Sequence, residues 1–153
     1  MELRIERAAR LKGEFRPPSD KSLTHRSFMF SALADGGCMV RMPLLGEDCV
    51  STLNCLAAMG LKYERSDEGV RLWPVAEWQQ PLASLDCGNS GTTIRLLSGL
   101  VASRSLDVTM VGDASLSRRP MKRIAEPLRL MGAKVEGDTP PLQIKGGNLR
   151  SID

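Results

Sequence analysis

Two stretches of this chain repeat one another. Leu56-Ala-Ala-Met-Gly-Leu-Lys-Tyr-Glu64 returns 72 positions later as Leu128-Arg-Leu-Met-Gly-Ala-Lys-Val-Glu136. Each reads as the end of an amphipathic helix, a glycine, then a strand of alternating polarity. Upstream, Ser22-Leu-Thr-His-Arg26 faces Gly91-Thr-Thr-Ile-Arg95, with Arg26 and Arg95 69 positions apart and an apolar helix following each, over Ser27–Leu33 and Leu96–Ala102. Two independent offsets that agree this closely imply a duplicated unit of about 70 residues, longer than the ~20–50 of a solenoid repeat. Each copy reads strand, helix, strand, helix, strand, strand. Two such copies make an α/β or α+β domain with helices packed inside strands.

The local cues agree. Helices are expected over Lys21–Ala34, Asp48–Met59, Gly91–Ser103 and Pro120–Met131, and strands over Cys38–Met42, Lys62–Arg65, Val70–Trp73, Leu106–Val111, Lys134–Val135 and Leu142–Ile144. Gly60 and Gly132 fall where a residue just past a helix takes positive φ, which glycine does without a Cβ penalty. Pro17-Pro18, Gly36-Gly37, Pro140-Pro141 and Gly146-Gly147 mark loops. At 153 residues and 42% hydrophobic, the chain is long enough for a core of its own. Ser151-Ile-Asp153 nevertheless runs to the chain end without a terminating signal, so the fold is expected to continue beyond it.

Composition excludes several classes. No apolar run reaches the ~18 residues of a membrane span, Met1–Arg10 lacks the apolar stretch of a signal peptide, and Glu2 and Glu6 disqualify a transit peptide. The expectation is a cytoplasmic protein with no membrane partner. Cys38, Cys49, Cys55 and Cys87 match no zinc or redox spacing, and His25 is the single histidine, so no metal is expected and the thiols read as buried. Aromatic residues at 4% and a net charge of +3 argue against a nucleic-acid partner.

The charges that matter are concentrated at helix starts. A helix N-terminus carries roughly half a positive charge, so acids favour its first turn and Lys or Arg oppose it by ~0.3–1 kcal/mol. The helix opening at Glu47-Asp48 obeys this rule. Three others do not: Ser19-Asp-Lys21-Ser22 with Arg26 one turn on, Gly88-Asn-Ser-Gly-Thr-Thr93 with Arg95, and Ser117-Arg118-Arg119-Pro120 with the proline at N1. One such tip is an ordinary solvated cation. Three together predict a site for phosphate or carboxylate groups, with free N–H donors, cationic side chains, and Gly88, Ser90 and Gly91 small enough for close backbone approach.

Other motifs fit less well. Gly88-Asn-Ser-Gly-Thr-Thr93 lacks the Gly-Lys-[Ser/Thr] ending of a P-loop, and no Gly-x-Gly-x-x-Gly follows a strand. Ser22, Thr24 and His25 have no orienting carboxylate in the sequence to complete a triad, and His25 reads as a partly buried helix residue. Neighbouring Arg118 and Arg119 diverge on a helix, so only one enters a site: Arg119, directly before Pro120, is the ligand candidate, and Arg118 is expected to be solvated or paired with an acid.

Three segments carry a family resemblance. Pro18-Ser-Asp-Lys-Ser-Leu-Thr-His-Arg26, Gly88-Asn-Ser-Gly-Thr-Thr-Ile-Arg95 and Gly112-Asp-Ala-Ser-Leu-Ser-Arg-Arg-Pro-Met121 resemble the 3-phosphoshikimate 1-carboxyvinyltransferase (EPSP synthase) family in motif, order and spacing. The related UDP-N-acetylglucosamine enolpyruvyl transferases fit less well. The resemblance implies transfer of an enolpyruvyl group from phosphoenolpyruvate to the 5-hydroxyl of shikimate-3-phosphate, without metal or organic cofactor. It implies that Lys21 contacts both substrates as the catalytic residue of this segment. Ser22 and Arg26 would bind shikimate-3-phosphate, while Asn89, Gly91, Thr92 and Arg119 would bind phosphoenolpyruvate, supported by Arg95.

The implied architecture is the family's inverse α/β fold of repeated βαβαββ units, here truncated. Residues 1–14 would belong with a second domain, and 15–153 would form an incomplete N-terminal domain of two repeats. Family members are far longer, and the absent part would hold a Ser-Ala-Gln segment and the second domain's acid, lysine and arginines. The expected partner is therefore the C-terminal portion of the same enzyme, without which this chain alone is expected to be inactive. The competing reading is a non-catalytic domain that binds phosphate or carboxylate anions.

Overall fold

The computed structural model describes Arg4, Arg10 and residues 12–152. In chain order the elements are α1 (Lys21–Leu33), β1 (Cys38–Arg41), α2 (Glu47–Ala58), β2 (Lys62–Ser66), β3 (Gly69–Trp73), β4 (Leu85–Asp86), α3 (Gly91–Ala102), β5 (Asp107–Val111), a 3-10 turn (Leu116–Arg118), α4 (Lys122–Leu130), β6 (Lys134–Glu136) and β7 (Leu142–Lys145).

The duplication is visible in topology and in hydrogen bonds. One sheet runs β1-β3-β2 and the other β4-β5-β7-β6. β3 pairs antiparallel with both β1 and β2, and β7 pairs antiparallel with both β5 and β6. From β4 onward the second unit is strand, helix, strand, helix, strand, strand, as the repeat predicts. The first shows the same order from α1 onward, and the counterpart of β4 would be a strand ahead of α1, parallel to β1. None stands there among the described residues, and most of the segment 1–14 lies outside them.

Both second helices of the units also end alike. Gly60 (φ +108) and Gly132 (φ +106) follow α2 and α4. Gly60 N–H donates to the Ala57 carbonyl and Leu61 N–H to that of Leu56; Gly132 donates to Arg129 and Ala133 to Leu128. These are two copies of one helix-terminating motif, in which the left-handed residue closes the orphan carbonyls.

The core is apolar and continuous. Phe28 from α1, Leu53 and Leu56 from α2, Ile94 and Leu97 from α3, Met110 from β5, and Leu142 and Ile144 from β7 are fully buried. The helices pack in succession, α1 on α2, α2 on α3 and α3 on α4, while α1 lies against β3 and α3 against β7. Cys49, Cys55 and Cys87 are buried free thiols, and Cys38 is half-buried. Among the described residues no helix is long and apolar enough to cross a membrane.

Several expected boundaries shift. β4 was not among the expected strands, and Met42 leaves β1 for a left-handed φ of +47. Pro120 does not open the fourth helix. Asp113 Oδ1 accepts from Leu116 N–H at 2.7 Å and starts a 3-10 turn over Leu116–Arg118, so α4 begins only at Lys122. Arg119 therefore closes a turn instead of sitting on a helix tip.

Candidate active site

β4 and β5 pair in parallel, the one such pair among the described residues, with Leu85 opposite Met110 and Asp86 opposite Val111. Loops at the carboxyl ends of parallel strands are where α/β sheets bind ligands. Here those loops are 87–90, leading into α3, and 112–121. They are in direct contact: Asp113 N–H donates to the Gly88 carbonyl at 2.9 Å, and a Cβ on Gly112 would lie 2.8 Å from that same oxygen. Gly88 takes φ +55, which lets its N–H reach Asp86 Oδ1 at 2.8 Å.

Asn89 bridges the two loops. Its Nδ2 donates to Asp113 Oδ2 at 2.6 Å, and its Oδ1 accepts from Arg119 Nη2 at 2.5 Å. Arg119 also donates to Ser115 Oγ at 3.4 Å. The Asn89 hydrogen bond, then the Leu116 amide, holds the Asp113 carboxyl below its ordinary value. Two guanidiniums converge on Gly91, the first residue of α3. A Cβ there would lie 2.5 Å from Arg95 Nη1 and 3.2 Å from Arg119 Nη1. Arg95 donates to the Gly91 carbonyl at 3.2 Å and to that of Pro120 at 3.4 Å. The α3 tip thus joins helix-end amides, two guanidiniums and a residue without a side chain, the composition of an anion site.

The tip of α1 departs from expectation. It is not short of acid: Asp20 is its N-cap, accepting from Leu23 N–H at 2.6 Å, and Lys21 forms an ion pair with Asp48 of α2. Lys21 is half exposed and borders a shallow cavity of about 290 Å³ with Leu44, Gly46 and Asp48. The Asp48 carbonyl in turn lies 3.1 Å from Thr93 Oγ1, so the tips of α1, α2 and α3 meet. Ser22 is exposed on the first turn of α1, and Thr92 is half-buried on the first turn of α3.

Arg26 is exposed and lines an apolar groove of about 360 Å³ between α1 and α3, with Met29, Phe30, Leu33, Leu96 and Leu100. Arg118 is exposed, as expected. His25 is fully buried, beyond the partial burial expected, and burial first, then the Lys21 charge, lowers its pKa. A separate cavity of about 790 Å³, between Gly60, Tyr63, Trp73 and Gln79, contains none of these residues.

Residues that the sequence reading missed are Asp48, Asp113 and Ser115, each a partner of a predicted residue. Asp113 carried the one readable signal, an Asp three residues ahead of a turn.

Fold and site together define a duplicated α/β protein with two guanidiniums clustered at the carboxyl edge of β4 and β5. The family model for EPSP synthase (3-phosphoshikimate 1-carboxyvinyltransferase) matches residues 5–153, and the chain belongs to that family. It is 47% identical over 149 residues to the 3-phosphoshikimate 1-carboxyvinyltransferase of Bacillus licheniformis, covering 94% of this chain and 35% of that one. It is 48% identical over 151 residues to that of Methylococcus capsulatus, again covering 94% and 35%. The solved EPSP synthase of Acinetobacter baumannii superposes with a TM-score of 0.85 at 46% identity, over 92% of this chain and 33% of that one. The chain thus spans about a third of the length of its relatives, and its mixed α/β fold is theirs.

Proposed function

We propose that this chain supplies one wall of the site in which the enolpyruvyl group of phosphoenolpyruvate passes to the 5-hydroxyl of shikimate-3-phosphate with release of phosphate. The observation that carries this reading is the pair of guanidiniums, Arg95 and Arg119, flanking the bare Gly91 at the carboxyl edge of β4 and β5. The relatives bear the name of that activity.

In this reading residues 15–153 are two repeats of an N-terminal domain, and residues 1–14 belong with a second domain. Arg119 holds phosphoenolpyruvate through its planar fork, which a lysine cannot reproduce, with Asn89 fixing its orientation and Gly91 and Thr92 bordering the ligand. Ser22 and Arg26 hold shikimate-3-phosphate. Lys21 lies between the two, and a substrate phosphate takes Asp48's place as its counter-ion. The 5-hydroxyl gives its proton to a base as its oxygen attacks C2 of phosphoenolpyruvate, an acid adds a proton at C3, and the tetrahedral adduct then loses phosphate as a C3 proton leaves to a base. Each transfer needs a positioned acid or base. Lys21 is the candidate from this chain, and the other groups come from the rest of the enzyme.

The test is complementation. This chain with both substrates gives no phosphate release, and adding the remaining portion of the polypeptide restores it. Robust turnover by this chain alone refutes the shared-site reading. Binding of shikimate-3-phosphate that Arg26→Ala abolishes, with no portion able to restore turnover, favours a non-catalytic anion-binding domain.

A further inference from the structure

Beneath the charged tips runs a chain of buried polar groups to which the reading above gives no part. His25 Nδ1 lies 2.7 Å from Thr52 Oγ1, and Thr52 Oγ1 lies 2.6 Å from Thr93 Oγ1. Thr93 Oγ1 is 2.7 Å from Ser90 Oγ and 3.1 Å from the Asp48 carbonyl. His25, Thr52, Ser90 and Thr93 are all fully buried. Such a chain is costly to break, because each group that loses a partner has no water to replace it.

Its proton order can be worked out. The Thr93 hydroxyl has one proton and faces two acceptors, Ser90 Oγ and the Asp48 carbonyl, so that proton points to one of them and away from Thr52. Thr52 then donates to Thr93, and His25 Nδ1–H donates to Thr52. This puts a proton on Nδ1, and the lowered His25 pKa together with a buried Nε2 that has no partner makes the ring the neutral Nδ1–H tautomer. The chain joins all three tips. His25 precedes Arg26 on α1, Thr52 lies one turn beyond Asp48 on α2, and Ser90 and Thr93 bracket Gly91 and Thr92 on α3.

We propose that Thr52 is a positioning residue, its hydroxyl setting the spacing between the α1 tip (Lys21, Ser22, Arg26) and the α3 tip (Asn89, Gly91, Thr92). This rests on the functional reading above. Thr52 is the link because its hydroxyl meets side chains of both α1 and α3, whereas Asp48 reaches Lys21 with its carboxylate and Thr93 only through its backbone carbonyl. Valine keeps its shape and deletes both bonds.

The test uses the complete polypeptide. In Thr52→Val, kcat/KM for both substrates falls roughly 10-fold, the scale of one or two lost buried hydrogen bonds. Amide exchange speeds up in segments 21–26 and 88–95 and stays unchanged in β5 and β7. Thr52→Ser restores both readouts. If Thr52→Val does not fold, Thr52→Cys, of similar size with a weaker donor, is read on the same two scales. Wild-type kinetics and exchange in the variant overturn the proposal. So does a loss spread evenly over the whole molecule that serine does not rescue, since that marks Thr52 as core packing. If the unmodified polypeptide makes no product, the functional reading fails, while the exchange measurement still decides whether Thr52 couples the two tips.

Discussion

Gly91→Ala separates what the α3 tip does for the fold from what it does for a ligand. The new methyl would meet Arg95 Nη1 at 2.5 Å and Arg119 Nη1 at 3.2 Å, both ends of flexible side chains, so the guanidiniums move and the backbone stays. Arg95 gives up its bond to the Gly91 carbonyl, a loss of about 0.5–1.5 kcal/mol. Against this, alanine is favoured over glycine in a helix by up to ~1 kcal/mol. The two nearly cancel. At ~2–4 °C per kcal/mol for a chain of this size, the melting temperature should shift by no more than about 2 °C. Binding should respond far more. A displaced Arg119 forfeits a charge-assisted hydrogen bond of about 1.5–3 kcal/mol, which is roughly 10- to 100-fold in affinity. The loss should fall on phosphoenolpyruvate, because Ser22 and Arg26 lie on another helix. Titration calorimetry of the complete polypeptide with each substrate measures this. Equal weakening of both would falsify the assignment of Gly91 to phosphoenolpyruvate.

Other outcomes follow from the same geometry. Lys21→Met removes an exposed ion pair with Asp48, so unfolding free energy should change by less than about 1 kcal/mol, while turnover of the complete polypeptide drops on the order of 10²-fold or more; unchanged turnover rejects a catalytic Lys21. Leu53→Ala, at a fully buried site, should cost about 2–5 kcal/mol in urea unfolding with the slope unchanged. The unfolded chain protonates His25 near 6.5, whereas the folded chain holds it neutral to lower pH. Stability should therefore be complete above pH 6.5 and fall as pH drops from there toward the folded value, since the unfolded state binds the extra proton. His25→Gln should flatten that slope, and an unaltered slope assigns the dependence elsewhere.

The fold was legible where it depends on local chemistry. The two Met-Gly corners announced the repeat because only glycine closes such a helix end cheaply, and both corners adopt the same backbone. β4 escaped because Leu85 and Asp86 are too short a run to show alternation. Ser-Arg-Arg-Pro misled because proline at N1 is a local preference, and it yielded to the Leu116 N–H bond to Asp113 Oδ1 and the burial of Leu116. At the site, Gly91, Arg95 and Arg119 could be picked out by type and Asn89 through the family resemblance, and the four do come together. Asp48 was read as an ordinary helix-start acid, since nothing in the sequence marks a partner 27 residues away. The hydroxyl of Thr52 is likewise an unremarked polar residue on an otherwise apolar helix face until α1 and α3 close over it.

The groove between α1 and α3 leaves Phe30 66% and Leu33 45% exposed, with Leu96 at 44% beside them. An oily strip of this kind makes salting-out ions promote self-association. On the proposed reading, sulfate and phosphate buffers should act twice on this chain, once by competing with substrate for the arginines and once by favouring self-association along the strip. Affinities are best measured in chloride at low protein concentration, with the sedimentation coefficient recorded alongside.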